Sequence, residues 1–455
     1  MTLYYSVRTR QALKEAFEQV PLGLPHYSYG IVCSKFLRLF ADLGIEPTEL
    51  LMPEMYPSSA YVNRHNATMP RPIHLMFKSF EEFRLLKGAY NLAHVAWEYR
   101  KLPTFDRLPK FHAKWVHPLN DYIHALSLPD EIWVGCAFTK ETLIRAGVSN
   151  VHVIPAPIAV AQRSYQADDD PERPGNAMGP LQIFECTRSA MAWARSQELN
   201  SLPGESLFWR MDDCKSRSGK IFLSVFNPHD PRKNPGAMLA GFQRYVREGR
   251  QNDLLVIKIL VDDNYNKFSD VLRVILPRRC AESLNSFDFI DCKNIVLVCG
   301  LMTDQEMGRL YSAADFYLCT SNAEGQNLPL LEAMARGALP ISPATTAMAD
   351  YICDDNAIVL PTTEGAVYDS VATAYGLQET VWDEVLTGEV AAGLERARSL
   401  HRDTIEVKRG AAVKSVRDRY APEIVSNLVQ QRLGAIELSR QGDTSKPVRM
   451  ITSAR

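Results

Sequence analysis

The sequence predicts an α/β protein built on two hydrophobic cores, and three observations carry that expectation. Strand-like apolar runs such as Tyr90–Glu98, Leu254–Leu260 and Asp315–Cys319 alternate with helix-like stretches. At 455 residues the chain exceeds one ordinary core and suits two. Pro155-Ala156-Pro157 closes a short apolar strand, Val151–Ile154, and marks a place where the first domain ends.

The first domain is read as residues 1–157. Gly23 to Gly30 forms a hydroxyl-rich loop containing His26 and Tyr27, and a helix follows from Gly30 to Leu43. Tyr90–Glu98 is a strand that contains His94 and ends on Trp97 and Glu98. Carboxyl ends of strands face the binding crevice in open α/β domains, so both terminal residues are binding candidates. His94 reads more readily as a hydrogen-bonded structural residue, as a lone histidine within a strand commonly is. Asp130–Gly135 leads into a helix beginning near Thr139.

Residues 158–218 read as a linker or insertion, charged and rich in proline and glycine over Gln162–Gly179, with a helix expected over Leu181–Glu198. The second domain is expected over residues 219–410. It opens with the strand Phe222–Phe226, the polar loop Asn227–Asn234 and a helix from Pro235 to Arg247. Leu254–Leu260 reads as a central parallel strand broken by Lys258, which either approaches an anion or reaches the sheet edge. Trp382–Leu386 and the helix near Glu389–Leu400 extend this domain. A helix over Tyr420–Ile436, within residues 411–438, is expected to return toward the first domain, and residues 439–455 form a tail.

The most informative segment runs from Ser321 to Gly337. Pro329 suits the start of a helix, where its missing N–H needs no partner, and Gly337 suits the end. Unpaired N–H groups at such a start can hold phosphate oxygens, while Glu324 in the loop and Glu332 in the helix can accept bonds from hydroxyls. A sugar attached to a nucleoside diphosphate fits that combination. Upstream, Lys233 can neutralise a diphosphate leaving group.

This pattern resembles the retaining glycosyltransferases of family 4, also called group 1, through Glu324-x7-Glu332, Ile295–Gly300, Leu301–Tyr311 with Ala314-Asp315, and Gly337–Ile341. The resemblance is strong over 220–360 and moderate over 90–160. It implies the GT-B fold, two Rossmann-like domains facing across a cleft. It also implies that Glu324 contacts the donor sugar, that Glu332 holds the ribose, and that Gly325, Gln326, Asn327, Leu328, Asn227, Arg232 and Thr303 lie around the donor. In the family the loop after the first strand of this domain carries an arginine and, six residues later, a lysine. Lys233 matches the lysine, whereas Asn227 stands at the arginine position.

Some members have a Trp-Glu followed by Leu-Pro and a later tryptophan, matched here by Trp97-Glu98, Leu102-Pro103 and Trp115. With His26, Tyr27, Gly30 and His94, these residues define the acceptor side, where Glu98 orients a hydroxyl or assists proton movement and Trp97 stacks on a sugar. The implied activity is transfer of a sugar from a nucleoside diphosphate to an acceptor hydroxyl with retention, in glycan or glycolipid biosynthesis. No cofactor or metal is implied. A sugar phosphorylase or sugar-phosphate synthase is a second reading; a noncatalytic nucleotide-sugar sensor is a third, to which Asn227 lends support.

Composition narrows the field. A net charge of -2 gives no broad reason for nucleic-acid binding. The amino terminus carries no signal-peptide pattern and no apolar run reaches spanning length, so the expected location is cytoplasmic, with peripheral contact at the inner membrane face as an option. Nine scattered cysteines lack metal-ligand spacing and read as reduced thiols, and Asp168–Asp170 and Asp262-Asp263 read as solvated loops.

Overall fold

A computed structural model describes residues 2–7, 27–55, 72–103, 122–160, 181–186, 207–260, 271–284, 291–300 and 302–442. His26, Trp115, the stretch 162–179, both aspartate clusters and residues 443–455 lie outside these, as does the side chain of Tyr27.

The first sheet contains β1 (Leu3–Val7), β2 (Thr48–Glu49), β3 (Ile73–Phe77), β4 (Tyr90–Val95), β5 (Glu131–Val134) and β6 (Val151–Val153), all parallel, in the order β2-β1-β3-β4-β5-β6. Both faces are covered, which is why β3 and β5 are buried at every position and do not alternate. Helix α1 (Tyr27–Asp42) lays Val32, Phe36, Leu39 and Phe40 onto one face at helical spacing. It starts before the expected Gly30, so that glycine sits in its first turn and not in the preceding loop.

Two histidines are buried in this sheet because their ring nitrogens are bonded. His74 contacts Ser6 Oγ through Nε2 and Asn91 Oδ1 through Nδ1, each at 3.0 Å, linking β1, β3 and β4. His94 contacts the Ile154 carbonyl through Nε2 at 3.2 Å and packs beside the rings of Phe36 and Phe77. Desolvation lowers both to about 4.

The second sheet has the order β13-β12-β11-β8-β9-β10-β7, with β7 (Gln182–Cys186), β8 (Ile221–Phe226), β9 (Leu254–Ile259), β10 (Cys292–Cys299), β11 (Phe316–Leu318), β12 (Leu339–Ser342) and β13 (Ile358–Val359). All pairs are parallel except β7 with β10. The helix expected from Leu181 therefore begins as an antiparallel edge strand: the apolar Ile183 and Phe184 supply a pairing surface for β10, and tertiary pairing overrides helical composition. The insertion thus joins the second sheet, as does a helix over Leu207–Ser216 that packs on it.

Beyond residue 360 the chain does more than extend the second domain. The hairpin β14 (Thr363–Ala366) and β15 (Val381–Glu384), with the helix Asp369–Tyr375 between them, packs Val371, Leu377 and Trp382 into a cluster with Phe80, Trp97 and Tyr122 of the first domain. Arg100 secures the contact with Glu364 at 3.0 Å and Asp383 at 2.8 Å. The terminal helix Pro422–Gly442 covers the opposite face with Val425, Val429, Leu433 and Ile436.

Arg432 on that helix grips Glu131, which is fully buried, through Nε and Nη2 at 2.6 and 2.7 Å. Replacing Arg432 with methionine leaves a buried carboxylate with the Trp133 Nε1 and Tyr90 hydroxyl donors and His152 Nε2 4.0 Å away. The expected cost is about 3 kcal/mol, the low end for breaking a buried pair because those donors remain. Urea unfolding of the variant beside wild type checks it, and a change within 0.5 M of midpoint is the contrary result, given slopes of roughly 3 kcal/mol/M or more for chains this large.

Candidate functional site

Strands β8, β9 and β10 run to one side of the second sheet and β11, β12 and β13 to the other, so the order reverses between β8 and β11. Loops leaving such a point diverge and open a crevice at the carboxyl ends of the strands. Here the β8 loop carries Arg232 and Lys233 and the β11 loop carries Glu324. The loops are fastened together: the Asn322 N–H donates to the Arg232 carbonyl at 2.8 Å, Thr320 Oγ1 to the Lys233 carbonyl at 2.9 Å, and Asn234 Nδ2 to Asn322 Oδ1 at 3.2 Å.

Lys233 Nζ donates to Glu324 Oε1 at 2.5 Å, with 15% and 6% of their side chains exposed. Burial alone would lower Lys233, but Glu324 and Asp230 outweigh it and hold the ammonium above its ordinary range. Glu98, arriving from the end of β4, meets Arg232 Nη1 at 2.9 Å. Arg232 also forms two bonds to Asp230, Nε at 2.9 Å and Nη2 at 2.5 Å, and lies 5.9 Å from the Tyr99 ring centre. Burial raises Glu98 above the usual carboxylate range, and Arg232 offsets only part of that. Burial would raise Asp230 too, yet Arg232 and Lys233 overcome it and hold that carboxyl low.

The helix Leu328–Ala335 follows the β11 loop, capped by Asn327 in the left-handed region at φ 59°, with Pro329 in its opening turn. Gly325 backs directly onto the first domain: a Cβ there would stand 3.5 Å from Ala96 Cβ and 3.6 Å from Glu98 Cγ. Glu332 faces Lys35 of α1 at 2.9 Å, and the Tyr311 hydroxyl also donates to it. Lys233, Arg232, Glu324 and Glu98 are thus gathered into one charged cluster, with Glu332 one turn along the adjoining helix.

Other predicted residues have different occupations. Gln326 clasps the backbone of Ala156 with both ends of its amide, accepting from N–H at 3.0 Å and donating to the carbonyl at 2.9 Å, so its side chain joins the domains where the first one ends. That close approach requires Gly135, where a Cβ would fall 2.9 Å from Gln326 Oε1. Asn327 points its amide at the sulfurs of Cys319 and Met348, and Leu328 packs between the first-domain and second-domain cores. Asn227 accepts the His229 N–H at 2.9 Å and shapes its own loop. Thr303 uses its hydroxyl and N–H in a reciprocal cap with Glu306.

On the acceptor side two expectations are corrected. His94 is a core residue held by the Ile154 carbonyl. Trp97 is 5% exposed, packs among Phe80, Tyr99 and Tyr122, and donates to the Lys101 carbonyl, so its ring faces are taken by protein and not open to a sugar. Beyond β4 the chain sends Glu98 to Arg232 and its neighbour Trp97 into the aromatic cluster. Lys258 is fully buried and donates to the Gly300 and Ile259 carbonyls at 2.7 and 3.0 Å, fixing the start of the Gly300 loop; it does not reach the sheet edge.

Sequence reasoning missed Lys35 and Gln326 as cross-cleft partners and Asp230 as the carboxylate that holds Arg232 within its own loop. Asp230, three residues before the lysine in a loop rich in turn formers, was the one with a local signal.

Residues 276–376, which include both glutamates, match the model of the glycosyl transferases group 1. This segment is similar to the glycosyl transferases group 1. The O-antigen chain mannosyltransferase B of Escherichia coli is 26% identical over 170 residues, 37% of this chain and 39% of that protein's length. Among solved GT-B structures, sucrose-phosphate synthase from Thermosynechococcus elongatus superposes over 96% of this chain and 100% of that one, with a TM-score of 0.56 at 12% identity. The alpha,alpha-trehalose 6-phosphate synthase of Burkholderia multivorans gives 0.52 at 13% identity, over 84% and 74%. These two likenesses show the GT-B fold. Among the described residues no His, Cys, Asp and Glu cluster is suited to a metal ion, and no helix is long and apolar enough to cross a membrane.

Proposed function

We propose that the protein transfers a sugar from a nucleoside diphosphate to an acceptor hydroxyl, with retention at the anomeric carbon, in glycan biosynthesis. The observation that carries this reading is the Lys233–Glu324 contact at the point where the second sheet reverses. A cation poised there can take up the charge that develops on a departing diphosphate, and the carboxylate beside it can accept bonds from donor-sugar hydroxyls. Glu332, on the helix that follows, accepts from the ribose. A bound diphosphate competes with Glu324 for Lys233 and with Glu98 for Arg232, so donor binding frees both carboxylates for hydroxyl groups. Arg232 then serves as the second cation in place of the family's arginine, and Glu98 orients the acceptor. The acceptor proton passes to the leaving phosphate on the same face as the new bond forms; no covalent enzyme intermediate is required.

The test is incubation of purified protein with UDP-, GDP- and ADP-sugars and a panel of glycan and glycolipid acceptors, with the anomeric configuration of the product read by NMR. An inverted product overturns the mechanism.

Glu98 adds a pH signature. Its raised pKa means that it takes up a proton at higher pH than a free glutamate, so transfer that needs the carboxylate declines as pH falls through that raised value. Glu98→Gln is expected to erase this acid limb and to lower the neutral plateau about tenfold, the loss of one charged hydrogen bond. An acid limb unchanged in the variant assigns it to another group.

A further inference from the structure

We infer that Lys35, from the first domain, is a second ligand of the donor's ribose, so that the nucleoside is gripped from both sides of the cleft and ribonucleotides are selected over deoxyribonucleotides. The inference rests on the nucleoside-diphosphate reading above. Lys35 Nζ lies 2.9 Å from Glu332 Oε1, yet 21% and 25% of the two side chains remain exposed. The pair is therefore reachable from solvent and is not sealed within the domain contact.

Its chemistry matches a vicinal diol. A carboxylate only accepts and an ammonium only donates, whereas each hydroxyl can do both. Two adjacent hydroxyls can donate to Glu332 and accept from Lys35 while the two charges stay neighbours. The Tyr311 hydroxyl, donating to Glu332 from behind, keeps the carboxylate oriented.

Helix α1 is held for this task by its apolar face. Phe36, Leu39 and Phe40 lock it on the first sheet, which leaves Lys35 and Arg38, one turn apart, directed at the second domain. Arg38 reaches Asp304 at 3.6 Å, but 75% and 65% exposure make that contact weak. Leu328, packed between the cores, sets the spacing of the domains at the foot of the same helix as Glu332. A lysine serving only to clamp the domains would weaken every ligand equally when removed. A ribose ligand predicts a loss that depends on the hydroxyl.

The experiment is titration calorimetry of the full chain with UDP, GDP and ADP and with the 2′-deoxy and 3′-deoxy analogues of whichever binds. Wild type, Lys35→Met, Lys35→Arg and Lys233→Met are compared. Wild type is expected to favour the ribonucleotide over both analogues by about tenfold, one charge-assisted hydrogen bond. In Lys35→Met the preference over one of the two analogues should fall to about twofold, and Lys35→Arg should restore it, a protein-by-ligand double-mutant cycle. Uniform weakening of all three ligands, or no weakening, in Lys35→Met overturns the inference while leaving the donor site intact, provided Lys233→Met weakens all three. Absence of nucleoside-diphosphate binding by wild type, or indifference to Lys233→Met, overturns the underlying reading and this inference with it.

Discussion

Lys233→Met is expected to reduce sugar transfer 10²- to 10³-fold in kcat, about 3–4 kcal/mol of transition-state stabilisation, the scale seen when one preorganised charge-stabilising group is removed. The ammonium is 15% exposed and held above its ordinary range by Glu324 and Asp230, so it stays charged across the working pH range. In the proposed transfer, little reorganisation is then needed as negative charge builds on a leaving diphosphate. The loss should be larger in kcat than in nucleoside-diphosphate affinity, because the interaction strengthens as the bond to the sugar breaks. Lys233→Arg keeps charge but not its placement and should recover only part of the rate. Circular dichroism accompanies the kinetics, since methionine leaves Glu324, 6% exposed, without its partner. Equal losses in affinity and kcat/KM with kcat unchanged would reduce Lys233 to a binding residue.

Acidification from pH 6.5 to 5 should remove about 2 kcal/mol of stability for each of His74 and His94, and about 3 kcal/mol each by pH 4. Both rings are kept neutral in the folded state, with folded pKa values of about 4, while the unfolded chain binds their protons near 6.5. The unfolded state therefore binds more protons throughout that window, and stability rises with pH across it, reaching its full value above about 6.5. His74 bridges three strands through Ser6 and Asn91, and His94 is buried against the Phe36 and Phe77 rings, so neither can leave for water without disrupting the first sheet. Thermal unfolding at pH 7.5, 6.5, 5.5 and 5.0 checks the slope. His94→Gln should shed about half of it at some cost in packing, and a flat profile in wild type sinks the prediction.

Much of the local architecture was legible because its signals are local. The helix Pro235–Arg247 has the expected bounds, since Pro235 can start a helix and Asn234 can cap it through its side chain. Leu254–Ile259 and Phe316–Leu318 announce themselves as apolar runs because parallel strands are covered on both faces. Lys233 and Glu324 were found by residue type and position, and they meet because their strands are neighbours at the reversal of the sheet. The strand at Gln182–Cys186 was missed because its pairing partner, β10, lies far along the chain. Trp97 was misjudged because the cluster that buries it includes Trp382 and Val371, delivered by a distant hairpin.

The sequence by itself determined the α/β class, several of the strands and helices, and which acidic and basic residues were available to a site, since periodicity, capping and residue type act within a few positions. Only the tertiary structure decided which charges face one another: Lys35 with Glu332, Arg232 with Glu98 and Arg432 with Glu131. Those pairs follow from sheet order and from the return of the carboxyl-terminal helix to the first domain. Coulomb attraction and hydrogen bonding depend on distance in space, and residue spacing along the chain does not encode it.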